Sequence, residues 1–292
     1  VLCLIIGALI GAWQGFWVAY LKVPAFIVTL AGMLVFRGLT LMVLGGQSIA
    51  PFPEEFRKIS TGFLPELGKT ASLDILTLIV GVLISLILIW TEMRKRKQQK
   101  SYNFEVLPAW LFAVKLVFIV AVLNIFAYFL ASYEGIPNIL VILVVLIVAY
   151  SFFTNRTVSG RHLYAIGGNE KAAKLSGIKT QKLTFWVFVN MGVLAALSGL
   201  IFAARLNSAT PGAGNSFELD AIAAVFIGGA SAYGGIGTII GAVVGGLVMG
   251  VLNNGMSLIG LGTDYQQTIK GIVLLLAVGF DVYNKNKSSK LD

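Results

Sequence analysis

The chain alternates long apolar runs with short polar stretches. A bilayer crossing needs roughly 20 mostly apolar residues. Runs of about that length fall at 1–20, 25–44, 73–92, 106–131, 138–153, 183–204, 238–259 and 266–283, and a shorter one covers 217–229. Soluble cores do not place so many such runs in series. The run at 138–153 is short and rich in β-branched residues, so a buried strand is its alternative, and its neighbours favour a helix. The fold class expected is an all-α polytopic membrane protein, with about eight transmembrane helices and one broken or re-entrant helix. These form a single transmembrane domain over 1–292. Val1 already lies inside an apolar run, so further N-terminal helices are expected ahead of it.

Polar stretches between the runs carry a charge asymmetry. Arg94, Lys95, Arg96, Lys97 and Lys100 form one basic cluster, and Arg156, Arg161, Lys171, Lys174, Lys179 and Lys182 form a second. Lys285, Lys287 and Lys290 form a third, and Lys22 stands alone. Counting runs between them puts all fifteen of these, out of 22 Lys and Arg, on one side. Basic loops stay in the cytoplasm, so the C-terminus is expected there and the loop 45–72 outside. Opposite loops hold only Arg57, Lys58, Lys69 and Arg205.

With Arg205 external and the tail cytoplasmic, 217–229 must change sides, yet it is too short to cross comfortably. Gly228, Gly229, Gly234, Gly235 and Gly237 end and follow it. A broken helix with a glycine hinge at membrane depth is expected, with Gly228, Gly229, Gly234 and Gly235 as the hinge. Irregular backbone at that depth is tolerated only against protein or a wet cavity, and such helices often border a translocation path.

Composition agrees with a lipid environment: 57% hydrophobic residues, 12% charged and 33 Gly. The formal net charge of +9 sits in loops between apolar runs, so it reads as positive-inside bias and not as a nucleic-acid surface. One Cys (Cys3) excludes a disulfide framework, and one His (His162) leaves few metal ligands. Gly68-Lys69-Thr70 has the look of a phosphate loop. Its spacing from Gly62 is one residue too long, no strand precedes it, and it falls in an external loop. Nothing in the chain looks equipped for catalysis or metal binding.

The stretch 154–182 contains a miniature helix at 170–176. Asn169 can cap its free N–H groups, Glu170 suits the positive end of its dipole, and Gly177 permits the left-handed turn that stops it. An ordinary surface helix is the plain reading. A long cytoplasmic loop, a smooth Ala172–Ala173 face and two lysines, Lys171 and Lys174, favour a docking surface for a soluble partner.

The wording of this loop, GRHLYAIGGNEKAAKLSGI at 160–178, resembles the cytoplasmic loop of ribose-type sugar ABC importer permeases. So do FIVTLAGMLVFRG at 26–38, ELDAIAAVFIGGASAYGGIGTIIGAVVGG at 218–246, NNGMS at 253–257 and IKGIVLLLAV at 269–278. The likeness covers nearly the whole chain and is nearest the xylose and multiple-sugar branch. It implies a subunit of the bacterial plasma (inner) membrane that forms a dimeric pore with a second permease copy. An ATP-binding subunit would hold ATP and Mg²⁺, with no cofactor in this chain, and an external sugar-binding protein would deliver cargo. The 154–182 stretch would be the coupling loop, with Gly168, Asn169, Glu170, Ala172, Ala173, Lys174 and Gly177 set against the ATPase.

Polar residues inside apolar runs are costly and therefore informative. Asn190, Glu218, Asp220, Asn253 and Asn254 are candidates for the translocation path; Asn190 is equally suited to bond a neighbouring helix. Arg37 and Lys270 lie near external run ends and read as snorkelling; Lys115 is deeper and could snorkel inward. The acids Glu54, Glu55, Glu66 and Asp264 face outward, for a docking protein or for solvent alone. Gly7, Gly11 and Gly15 form a small-residue ladder, and so do Gly237, Gly241 and Gly245, with Gly246 and Gly250 beside them. Both suit close helix packing within the chain. A gradient-driven secondary transporter is the alternative function; it would need acids buried in the spans. An enzyme acting on lipid-linked sugars would need convergent acids or a metal site.

Overall fold

The computed structural model describes residues 1–64, 69–70, 73–102, 106 and 108–288. The chain forms two compact units: Val1–Phe52 with Leu143–Asp292, and Pro53–Ile142. The second holds α3 (Glu54–Thr61), the two-residue strands β1 (Lys69–Thr70) and β2 (Leu73–Asp74), α4 (Ile75–Ser101) and α5 (Ala109–Tyr133). In the first are α1 (Leu2–Ala19), α2 (Ala25–Leu44), α7 (Val158–Gly168), α8 (Glu170–Leu175), α9 (Thr180–Leu206), α10 (Phe217–Ile227), α11 (Ile239–Leu258) and α12 (Thr263–Ser288). Helix α6 (Asn138–Arg156) starts in the second and ends in the first.

The protein is all-α and polytopic. Among the described residues, seven helices are long and apolar enough to cross a membrane: α1, α2, α4, α5, α6, α9 and α11. The run at 138–153 is therefore a helix, because its length and apolarity outweigh its β-branched content. The expected eighth crossing, 266–283, lies inside α12, which is long enough but outside that set. Asp264, Gln266, Gln267 and Lys270 dilute one end of α12.

Local chemistry explains several boundaries. Helix α4 starts at Asp74, whose carboxylate accepts from the Leu76 and Thr77 amides at 3.2 and 3.3 Å and from Thr77 Oγ1 at 2.5 Å. Helix α2 stops at Gly45, in the left-handed region at φ +57°. In the second unit, Lys115 pairs with Glu92 at 3.1 Å and Asn124 donates to Ser85 Oγ at 2.9 Å. Lys115 therefore has a protein partner and is not simply snorkelling. Glu54 and Glu55 flank Lys58 at 3.5 and 3.7 Å, all exposed; Glu66 lies outside the described residues.

The glycine ladders pack within the chain. Gly7, Gly11 and Gly15 of α1 meet Gly192, Phe188 and Phe185 of α9, and a Cβ on Gly7 would lie 2.5 Å from the Gly192 carbonyl oxygen. Gly241 meets Gly228, and Gly245 meets the Ala224 carbonyl, so α11 seats α10 in the same way. Gly246 and Gly250 face open space. Apolar side chains gain little by leaving lipid, so close backbone approach supplies van der Waals contact where hydrophobic burial cannot. Beside that contact Ala223, Ala224 and Met249 are buried, flanked by Ile227, Leu252, Val273 and Leu274.

Loop pairing in the first unit follows the charge map. Ile49 and Ala209 exchange two backbone bonds of 2.9 Å, so the chain leaving α2 and the chain leaving α9 meet on one side. Lys22, at the other end of α1, reaches Glu170.

Gly192→Ala is predicted to destabilise the protein by about 1–3 kcal/mol, because the new methyl strikes α1 backbone. Gly199→Ala on the same helix faces open space and should be neutral or stabilising by up to about 1 kcal/mol. Thermal denaturation in detergent, comparing the two, checks the sign.

Candidate functional site

The stretch 154–182 is mostly helix and not an open loop. Helix α6 runs to Arg156, α7 follows after one residue, and α8 and α9 complete it. Sequence reading missed α7 because Gly160, Gly167 and Gly168 look like loop residues. The available signal was Thr157, whose hydroxyl caps the helix by accepting from the Gly160 amide at 3.0 Å.

Helix α8 matches its expected design. Asn169 Oδ1 accepts from the Ala172 amide at 3.0 Å. Gly177 takes φ +83°, and the Gly177 and Ile178 amides return to the Lys174 and Ala173 carbonyls at 3.1 Å each. That double closure is the Schellman stop. The helix ends at Leu175, one residue before the expected end, which is within normal fraying. Glu170 receives Lys22 Nζ at 3.0 Å, an exposed pair worth little energetically, yet it joins α8 to the turn after α1.

The faces of α8 differ from expectation at one residue. Ala172 is exposed and leaves a smooth patch, as anticipated, but Ala173 is only 5% exposed and serves the helix's own seat. Leu175, not singled out beforehand, stands 90% exposed beside the exposed Lys171 and Lys174. An apolar residue closing a short helix that carries two lysines was the readable signal.

Helix α10 is short, at 11 residues, and the glycine-rich segment from Gly228 to Thr238 follows it before α11. Gly229, Gly234 and Gly235 take φ of +85°, +82° and +77°, which side chains other than glycine rarely adopt. Gly228 has an ordinary φ of −72° and is glycine for another reason, its contact with Gly241. The turn is fastened on two more sides. A Cβ on Gly167 would lie 2.5 Å from the Gly235 amide nitrogen, and Tyr164 donates to the Gly237 carbonyl at 2.8 Å. Asp281 of α12 accepts from the Ala232 amide at 2.9 Å and from Ser231 Oγ at 3.3 Å. Gly234 and Gly235 lie against Gly167 and Gly168 at the end of α7.

Candidate path residues do not form one cluster. Asp220 Oδ2 accepts from Lys270 Nζ at 2.9 Å and from Asn253 Nδ2 at 3.1 Å, joining α10, α11 and α12. Lys270 therefore turns into the protein and does not snorkel. Glu218 and Asn254 are exposed and stand outside this cluster. Asn190 accepts from the Tyr150 hydroxyl at 2.6 Å, and both line an open cavity of about 620 Å³ among α6, α7 and α9, with Trp186 and Leu163. Arg37 donates to Asn215 in the segment leading to α10.

Serial apolar helices, a broken helix clamped by glycine, and a capped basic helix with an exposed apolar tip define a membrane transport component. Residues 1–278 match the family described as "Branched-chain amino acid transport system / permease component", and the chain belongs to that family. It is 41% identical to the xylose transport system permease protein XylH of Haemophilus influenzae over 282 residues, covering 97% of this chain and 73% of that protein. Identity to XylH of Escherichia coli K12 is 40% over 289 residues, covering 99% and 71%. The ribose import permease protein RbsC of Escherichia coli K12 is 34% identical over 279 residues, covering 95% and 66%. No solved structure matches the chain. The resemblance to ribose-type sugar importer permeases near the xylose branch therefore holds. The protein is a permease component of a transport system and a multi-pass membrane protein, with relatives named for xylose and ribose transport.

Gly234→Val combines a disallowed φ with a collision against Gly167. It is expected to lower sugar uptake at least about tenfold, equal to about 1.4 kcal/mol. Gly212→Ala, which faces open space, should leave uptake unchanged. Vesicle uptake normalised to permease content distinguishes them.

Proposed function

We propose that this chain carries xylose or a related pentose inward, and that the 169–177 segment transmits ATP-driven closure of its partner subunits to the broken helix α10. The observation that carries this is the backbone contact of Gly167 with Gly234 and Gly235. Docking force on α8 passes through Asn169 and Gly168 to Gly167, and from there into the glycine turn that ends α10. Because both sides of that contact are glycine, no flexible side chain absorbs the displacement. Tyr164 holds the same two segments in register.

The exposed patch of Ala172, Leu175, Lys171 and Lys174 suits a groove with an apolar floor and acidic rim on the ATP-binding subunit. Glu170, paired with Lys22, orients the helix, and Gly177 fixes its exit. On this reading the tail is cytoplasmic, and two permease copies enclose the pore. ATP and Mg²⁺ stay on the partner. Gly68 of the phosphate-loop look-alike lies outside the described residues, and Lys69 and Thr70 belong to β1. An external sugar-binding protein selects the cargo, so the path itself needs only weak hydroxyl partners. Asn190 beside its cavity, with the exposed Glu218 and Asn254, suits that task. Pentose, and xylose in particular, is favoured by the identity of about 40% to proteins named for xylose transport. Membership of a family of permease components speaks for a multi-subunit system over a gradient-driven carrier that works alone.

Ala172→Arg, Leu175→Asp and Gly177→Val are each predicted to cut uptake at least about tenfold while leaving membrane insertion intact. ATP hydrolysis by the partner should then become insensitive to the sugar-loaded binding protein. Parental uptake in all three variants would remove α8 from the coupling route. Labelled xylose, competed by ribose in the same vesicles, tests the cargo; preferential uptake of ribose would reassign it.

A further inference from the structure

We infer that Asp220 and Lys270 are a mutually dependent positioning pair, which seats the half-helix α10 on α12 for transport, with Asn253 keying the pair to α11. Helix α10 is held by groups from its neighbours. It has 11 residues, no side-chain cap at Ser216, and a glycine turn at its far end. Its closest approach is through small groups, its own Ala223 and Ala224 against Gly245 of α11, with Met249, Leu252, Val273 and Leu274 packed beside them. Smooth surfaces of that kind permit close approach but do little to fix rotation or axial position.

The pair supplies what those surfaces lack. Its side chains are only 18% and 16% exposed, and the 2.9 Å bond is charge-assisted and directional. Asp220 lies in the first turn of α10, where the helix dipole also favours a carboxylate. Lys270 lies 50 residues away on α12, and Asn253 33 residues away on α11. One carboxylate oxygen thus gathers three helices. Asp220 Oδ1 and Asn253 Oδ1 are sealed from solvent and have no donor among the described residues. Sealed acceptors at the junction mark Asp220 as part of the joint between helices and not as a lining residue of an open path.

A buried ion pair is poor as a source of stability, because desolvation offsets attraction. Removing one member is another matter, since it strands the other charge. This predicts a specific pattern among variants. The inference uses transport as its readout but is independent of α8 docking, so failure of one leaves the other standing.

The test takes Asp220→Asn, Lys270→Met and the double variant in the complete importer, reconstituted with its ATP-binding subunit and binding protein. Membrane content, sugar uptake and ATP hydrolysed per sugar are measured together. Each single variant is expected to raise ATP hydrolysed per sugar at least about tenfold, and the double variant to return it to within about threefold of the parent. Parental coupling in the single variants would overturn the inference. So would single variants that accumulate poorly yet keep the parental ratio, which would mark a purely structural pair. A double variant no better than the worse single variant would also overturn it, and would assign Asp220 to direct contact with the sugar. If the single variants fail to accumulate at all, recovery of both content and coupling in the double variant supports the pair, and its absence rejects it.

Discussion

Backbone-to-backbone contact through glycine is the constraint on which this permease depends. In lipid, burying a leucine against another helix gains little, because the lipid tails are equally apolar. What remains is close approach, and only residues without a Cβ allow it. The α1–α9 seam, the α10–α11 seam and the contact of Gly167 with Gly234 and Gly235 are three uses of that principle. The first two build the scaffold. The third joins the end of α7 to the glycine turn that follows α10. All three leave no room for a Cβ, so a methyl group is enough to disturb any of them.

Glycine contacts fix distance better than orientation, and polar groups supply the orientation. Each is a directional bond between segments far apart in sequence: Tyr164 to Gly237, Asp281 to Ala232, Asn190 to Tyr150, Asp220 to Lys270. Charges inside an apolar protein are costly and persist where they have partners. Here the least exposed ion pair among the described residues sits at α10, a helix of only 11 residues. Polar anchoring and a short broken helix are two aspects of one design.

Much of this was legible from the chain alone. Helix α8 could be drawn residue by residue, since Asn169, Glu170 and Gly177 act on their immediate neighbours and local rules suffice. The crossings followed from length and apolarity, and the break after α10 from a glycine cluster. Helix α7 was not legible, because three glycines resemble a loop until packing explains them. Neither was the partner of Lys270. A lysine near the end of a run has an obvious reading, and nothing local announces an aspartate 50 residues earlier. Ala172 and Ala173 look alike in sequence, yet one faces out and the other in, a difference set by how α8 rests on its own chain. Long-range pairing and facing are tertiary facts, and they decided the site.

The projection of Leu175 bears on the strength of the proposed docking. Its side chain is 90% exposed in the free chain. Covering it fully would contribute about 1.5–3 kcal/mol, so a single leucine gives α8 an apolar anchor that its two alanines cannot.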